Sequence, residues 1–108
     1  MAQNFRRYTS NNVGTSPVTV FTANSFDTIV GISVANVTSS SIAVDVYIND
    51  GSNDIHLVKG APIPSGAALQ IIDGGARFVV QNNDALKDVS DTASSADVWV
   101  SAVDDIST

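Results

Sequence analysis

The chain contains no cysteine and no glutamate. Without cysteine, disulfide frameworks, thiolate zinc sites and cysteine nucleophiles are excluded, and the redox compartment is left open. Without glutamate, all 11 acidic residues are Asp, and leucine occurs only at Leu57, Leu69 and Leu86. Helices draw on Leu, Glu, Lys and Arg, so the residue types that build them are nearly missing. Cations are few: Arg6, Arg7, Lys59, Arg77 and Lys87 leave a formal net charge of −6. Nucleic-acid backbones require clustered Lys and Arg, so this balance argues against nucleic acid as a partner. It also disfavours anionic membrane surfaces, and no apolar run approaches the roughly 18 residues of a membrane span. The opening "MAQNFRRYTSNN" has two arginines without an apolar stretch behind them, so no secretory signal is expected there.

What remains is a chain of Val, Ile and Thr punctuated by Asp, Asn, Gly and Ser. The first group suits pleated sheet and the second suits turns. A length of 108 residues fits one domain with its own core. The expected fold is therefore all-β: a single-domain antiparallel β-sandwich of about eight strands, jelly-roll or immunoglobulin-like, with a small β-barrel as second choice. Residues 1–16 read as an N-terminal arm with a short strand around Phe5–Thr9, and residues 17–108 as the sandwich domain.

Period-two alternation marks the strands. Val18, Val20 and Thr22 alternate with Thr19, Phe21 and Ala23. In "DTIVGISVANV", Val30, Ile32 and Val34 share one face, and Ile29, Gly31, Ser33 and Ala35 the other. "IAVDVYIND" places Ile42, Val44, Val46 and Ile48 inward and Ala43, Asp45 and Tyr47 outward. "NDGSND" closes a hairpin onto "IHLVK", with Ile55 and Leu57 inward. "AALQII" is a strand, "DGG" a turn and "RFVVQ" the returning strand. "ALKDVSD" alternates less cleanly. In the last strand, "ADVWVSAVDD", Val98, Val100 and Ala102 oppose Trp99, Ser101 and Val103. The aliphatic residues Ile29, Val58, Ile72 and Val103 fall on outward positions, where a second sheet or a partner has to cover them.

The candidates for chemistry are sparse. "GAPIPSG" has two prolines that cannot donate ladder hydrogen bonds, which suits a stiff crossover between sheets. Its Ser65 lacks a nucleophile-elbow context, and no phosphate-binding glycine pattern is present. His56 is the only histidine and lies in a strand, so a Ser-His-Asp triad would have to be built around it. Asp50, Ser52 and Asp54 alternate like calcium ligands, but the sixth-position Gly and the closing Glu of a calcium loop are missing. Asp104 with Asp105, and Asp88 with Asp91, read as solvated turn acids. Asn36-Val37-Thr38 has the N-glycosylation pattern. No catalytic residue, cofactor or metal is expected. The expected interface residues are Phe5, Arg6, Arg7, Tyr8 and Trp99: the first four combine cations with aromatics, and Trp99 stands among valines, where core or subunit contact is expected.

Three stretches, "GTSPVTVFTA", "SSSIAVDVYINDGSNDIHLVKGAPIPSGAALQIIDGG" and "SDTASSADVWVSAVDD", together resemble small virion proteins of tailed phages of marine bacteria, cyanophages included. The chain departs from that family's pattern at "IIDGGARFVVQNNDAL". The resemblance implies a non-enzymatic bacteriophage structural protein, made in the host cytoplasm and built into the virion. It implies as partners other copies of itself and capsid, neck or tail proteins, in the role of capsid decoration or of a neck or tail subunit. The competing expectation is a host-adhesion module binding carbohydrate or calcium, against which stands an aromatic content of only 6%.

Overall fold

The structure is a computed structural model that describes residues 4–23, 27–72, 78–81 and 83–104. Nine strands follow one another: β1 Asn4–Val13, β2 Val18–Thr22, β3 Asp27–Asn36, β4 Ile42–Asn49, β5 Asp54–Ile63, β6 Ala68–Ile72, β7 Phe78–Val80, β8 Ala85–Ser90 and β9 Ala96–Asp104. They form two antiparallel sheets, ordered β1-β9-β3-β6 with β7 also on β3, and β2-β8-β4-β5. Apart from the β4–β5 hairpin and the step from β6 to β7, every connection carries the chain into the opposite sheet. Taking β6 and β7 as one position, this is the strand order of a jelly roll.

The sheets face each other across Val and Ile. Ile32, Val34, Val44, Val46, Ile63, Leu86, Val98 and Val100 are buried between them. Each such side chain contributes about 1.5–3 kcal/mol relative to exposure, so this layer is the main favourable term for a chain without disulfides. In β8 the inward positions are Leu86, Asp88 and Ser90, which is why its alternation is faint in the sequence although the strand is regular.

Several expectations are corrected. Ile29 is fully buried rather than outward, because β3 bulges: Ile29 pairs with Ala102 and Gly31 with Ser101, leaving Val30 as the extra residue. The bulge turns Ile29 inward along with Ile32 and Val34 and leaves Val30 outside. Val58, also expected outward, packs partly against the core, because β5 has an irregularity opposite Val46. Ile55, expected inward, is 53% exposed beside the hairpin tip of an edge strand. Tyr47 is on the outer side but buried, since the His56 ring lies against it at 4.9 Å.

The expected β6–β7 hairpin does not form. β6 pairs with β3 from Ile32 to Ala35, and β7 pairs with it from Asp27 to Ile29, in the same direction. β7 thus continues along the edge that β6 begins. A continuing edge strand has the same alternation as a returning one, so the pattern alone could not separate them. The "DGG" segment and Arg77 lie outside the described residues. Segment 1–16, expected as an arm, holds the ten-residue strand β1, which pairs with β9 and delivers Val13 to the core.

The proline segment does cross between sheets, but later than expected. Pro62 belongs to β5, where it sits opposite Ala43 on a sheet edge, a position that tolerates the missing N–H. The turn is Pro64–Ala67, closed by a 3.1 Å bond from the Ala67 N–H to the Pro64 carbonyl, with Gly66 at φ 72°. Asn36 pins this corner. Its Nδ2 donates to the carbonyls of Ser40 at 2.7 Å and Ile63 at 2.9 Å. Its Oδ1 accepts from the Thr38 N–H at 2.8 Å and the Thr38 hydroxyl at 2.7 Å. A buried amide with all four positions used has no hydrogen left for glycan attachment, so the N-x-T pattern here is structural.

Replacing Asn36 with Ala strands the Ile63 carbonyl and unties the corner. A loss of roughly 2–3 kcal/mol is expected from the denaturant midpoint, and Asn36→Asp, which lacks both donors, should lose a similar amount. A loss below about 0.5 kcal/mol, the range of ordinary surface changes, would contradict this role.

Candidate functional surface

Strand alternation gives each sheet one outer face, and the two outer faces differ in charge. On the four-stranded sheet, Thr19, Lys87, Tyr47 and His56 form a cross-strand row, with Asp45 and Lys59 nearby. Asp45 accepts from the Gly60 N–H at 2.7 Å and meets the Lys59 ammonium at 3.7 Å. Asp91 accepts from the Ala43 N–H at 3.1 Å and from the Thr92 hydroxyl at 2.9 Å, and these bonds hold its carboxyl below the usual range. Asp50 caps the β4–β5 turn by accepting from the N–H groups of Asn53 at 2.8 Å and Ser52 at 3.1 Å, with the same effect. The alternating acids of this hairpin therefore serve the turn, and Asp54 accepts from the Asn49 amide at 2.7 Å. Among the described residues, no group of three or more potential ligands is placed to hold a metal ion.

The outer face of the five-stranded sheet is nearly uncharged. Register places Phe5, Val103, Thr28 and Val79 in one row across β1, β9, β3 and β7. Arg7, Ser101 and Gly31 form the next, and Thr9, Trp99, Ser33 and Gln70 the one after. Asp97, Ala35 and Ala68 follow. Phe5 is 80% exposed, Val79 72%, Trp99 51% and Val30 37%. The Arg7 guanidinium lies 5.6 Å from the Trp99 ring centre, within cation–π range.

This register divides the sequence-predicted interface residues. Phe5, Arg7 and Trp99 share the outer face, and Trp99 is exposed rather than part of the core. Tyr8 points the other way: it pairs with inward-facing Val100 and packs against Phe21 at 4.3 Å between ring centres. Arg6 is opposite inward-facing Ala102. Sequence reasoning grouped four neighbours that β1 sorts onto two sides. It missed Val30 and Val79, whose exposure follows from the β3 bulge and from the β7 pairing. Beside Trp99 runs a groove of about 390 Å³, lined by Thr9, Asn11, Ser33, Ala35 and Asp97.

One buried group stands apart. Asp88 faces inward between Val18 and Val46, with neither carboxylate oxygen hydrogen-bonded. Burial pushes its carboxyl up to about 7; the nearby Val89 N–H relieves this slightly without reaching bonding geometry, and Asp45 adds to it.

No protein-family description matches the chain. No curated protein matches it either. Among solved structures, the chain is similar to a pentameric capsid protein isolated from metagenomic phage sequences, with 18% identity and a TM-score of 0.46. The match covers 93% of this chain and 59% of that one, so the chain spans about three fifths of that protein's length.

The raised Asp88 carboxyl carries a signed pH dependence. The folded state holds this proton up to about pH 7, whereas the unfolded chain releases it near the ordinary Asp value of 3.8. Its contribution is therefore complete below about pH 4 and is lost as pH rises through about 7, on the order of 4 kcal/mol in all. Asp50 and Asp91 act oppositely, losing their contribution as pH falls below the carboxylate range. Melting temperature should thus decline between pH 5 and 8, and Asp88→Asn should flatten most of that slope. A flat profile for the unmodified protein would refute the assignment.

Proposed function

We propose that the protein is a non-enzymatic structural subunit of a tailed-phage particle, acting through contacts between copies of itself and with neighbouring capsid, neck or tail proteins. The observation that carries this reading is the outer face of the five-stranded sheet. In a chain of net charge −6, that face shows only Arg7 and Asp97 as charges along its paired rows, and it exposes Phe5, Val30 and Val79 at one end. Two copies repel each other over most of their surface, so approach is least costly where charge is absent. Depletion of charge and enrichment in aromatic residues are the marks of an interface centre. The occupant is a second copy, seated on the Phe5, Val103 and Val79 end of the face.

The jelly-roll order and the resemblance of the sequence to virion proteins of marine tailed phages, cyanophages included, support the same reading. The ten-residue β1 lies at the edge of this sheet, beside the neutral face, where strand pairing with a second chain can add to the contact. Decoration of the capsid and membership of the neck or tail are both consistent with such a subunit, whose place would be the virion.

Light scattering on the size-separated protein should give a multiple of the chain mass at micromolar concentration. Phe5→Asp and Val79→Asp should each shift it to the monomer while leaving the circular dichroism spectrum unchanged, because both side chains are exposed on the single chain. A strictly monomeric unmodified protein would remove the reading.

A further inference from the structure

The opposite end of that face has different chemistry. Trp99 is the only tryptophan of the chain, it is half exposed, and it stands in the middle of a rigid sheet. Arg7, in the Ser101 row, flanks the indole on one side; the groove extends on the other, in the direction of Asp97. The groove contains hydroxyls from Thr9 and Ser33, the Asn11 amide and one carboxylate, Asp97. The positions of these groups are held by the sheet. Asp97 Oδ1 accepts from the Asn12 N–H at 3.0 Å, and Ser33 accepts from the Gln70 amide at 3.1 Å. A volume of about 390 Å³ is that of a small-ligand cleft.

From this juxtaposition we infer that the groove binds a neutral saccharide, with one pyranose ring stacked on the Trp99 indole and its hydroxyls bonded to Asn11, Ser33, Thr9 and Asp97. A sugar ring offers a face of C–H groups to an aromatic surface and a rim of hydroxyls that donate and accept. The groove supplies the matching pair: one apolar plate and several short polar side chains with little rotamer entropy to lose. Its only anion is Asp97, which accepts from hydroxyls but repels uronic or sialic acids, as does the net charge of −6. A lipid or apolar peptide would leave these polar groups unpaired on burial. The inference is independent of the assembly proposal, since the Phe5 row lies four residues along β9 from Trp99, at Val103, roughly 13 Å away.

Because Trp99 is the only tryptophan, its emission reads the groove directly. Titration with neutral mono- and oligosaccharides, chosen from a glycan array, should shift that emission saturably at millimolar sugar or below. Acidic sugars should bind more weakly. By calorimetry, Trp99→Ala should weaken binding at least tenfold or so, and Trp99→Phe should restore part of it. Asn11→Ala, which keeps the reporter, should bind more weakly without altering the free protein's emission. Light scattering on Trp99→Ala should leave the oligomeric state unchanged, which separates this test from that of assembly. The inference falls if no saccharide moves the emission, or if Trp99→Ala binds as well as the unmodified protein. It also falls if the emission follows protein concentration alone, since the groove would then be a contact between copies.

Discussion

The structure depends on one constraint: the strands richest in branched aliphatic residues must turn them toward the opposing sheet. Val44 and Val46 on β4 and Val98 and Val100 on β9 are buried on that account, and each fixes the outward direction of its neighbours. A shift of one residue in any of these strands would expose the core set and bury the outer one. The character of the outer faces is thus not independent of the core. Trp99 is exposed because Val98 and Val100 are not.

Irregularities are where the protein departs from this alternation, and they reshape its surface. The β3 bulge lets Ile29 and Ile32 both face the core and puts Val30 outside, next to the row of Phe5 and Val79. The irregularity in β5 similarly brings both Leu57 and Val58 against the core. Asn36 does comparable work at the corner between sheets, where four hydrogen bonds from one side chain replace the ladder bonds that the turn at Pro64 interrupts. Gly14 belongs to the same group: a Cβ there would come 3.2 Å from the Ser94 backbone nitrogen, closer than ordinary van der Waals contact, so the β8–β9 connection would have to give way slightly.

The all-β class and most strands were legible because alternation and turn residues are local properties. The inward set of β4 and that of β9 match the pattern read from "IAVDVYIND" and "ADVWVSAVDD". What was not legible depends on pairing. That β7 extends the β6 edge instead of returning along it is decided by β3, which lies far back in the chain, with Asp27 paired to Val80. The Val30 bulge is visible only against Ala102 and Ser101. By sequence Asp88 resembles a turn acid, yet it occupies an inward position that the regular pairing of β8 with β4 imposes. Of the surface residues, Phe5, Arg7 and Trp99 could be picked by type. Their grouping, and the loss of Tyr8 to the core side, follow from the register of β1 on β9.

Strand β9 joins these levels. It is central in its sheet, paired on both sides, and contributes Val98, Val100 and Ala102 to the core. Its alternate residues, Asp97, Trp99, Ser101 and Val103, run the length of the outer face, from the polar groove to the apolar row. A side chain mounted on such a strand inherits the rigidity of the packing beneath it, so the indole is held in place before any partner arrives and little ordering entropy remains to be lost on contact. Arg7 adds to this by standing against one side of the ring from the adjacent strand. The same backbone that closes the core thus pre-organises the surface. Changes beneath Trp99 should alter the groove as surely as changes within it, because the inward valines set the height and angle at which the indole stands.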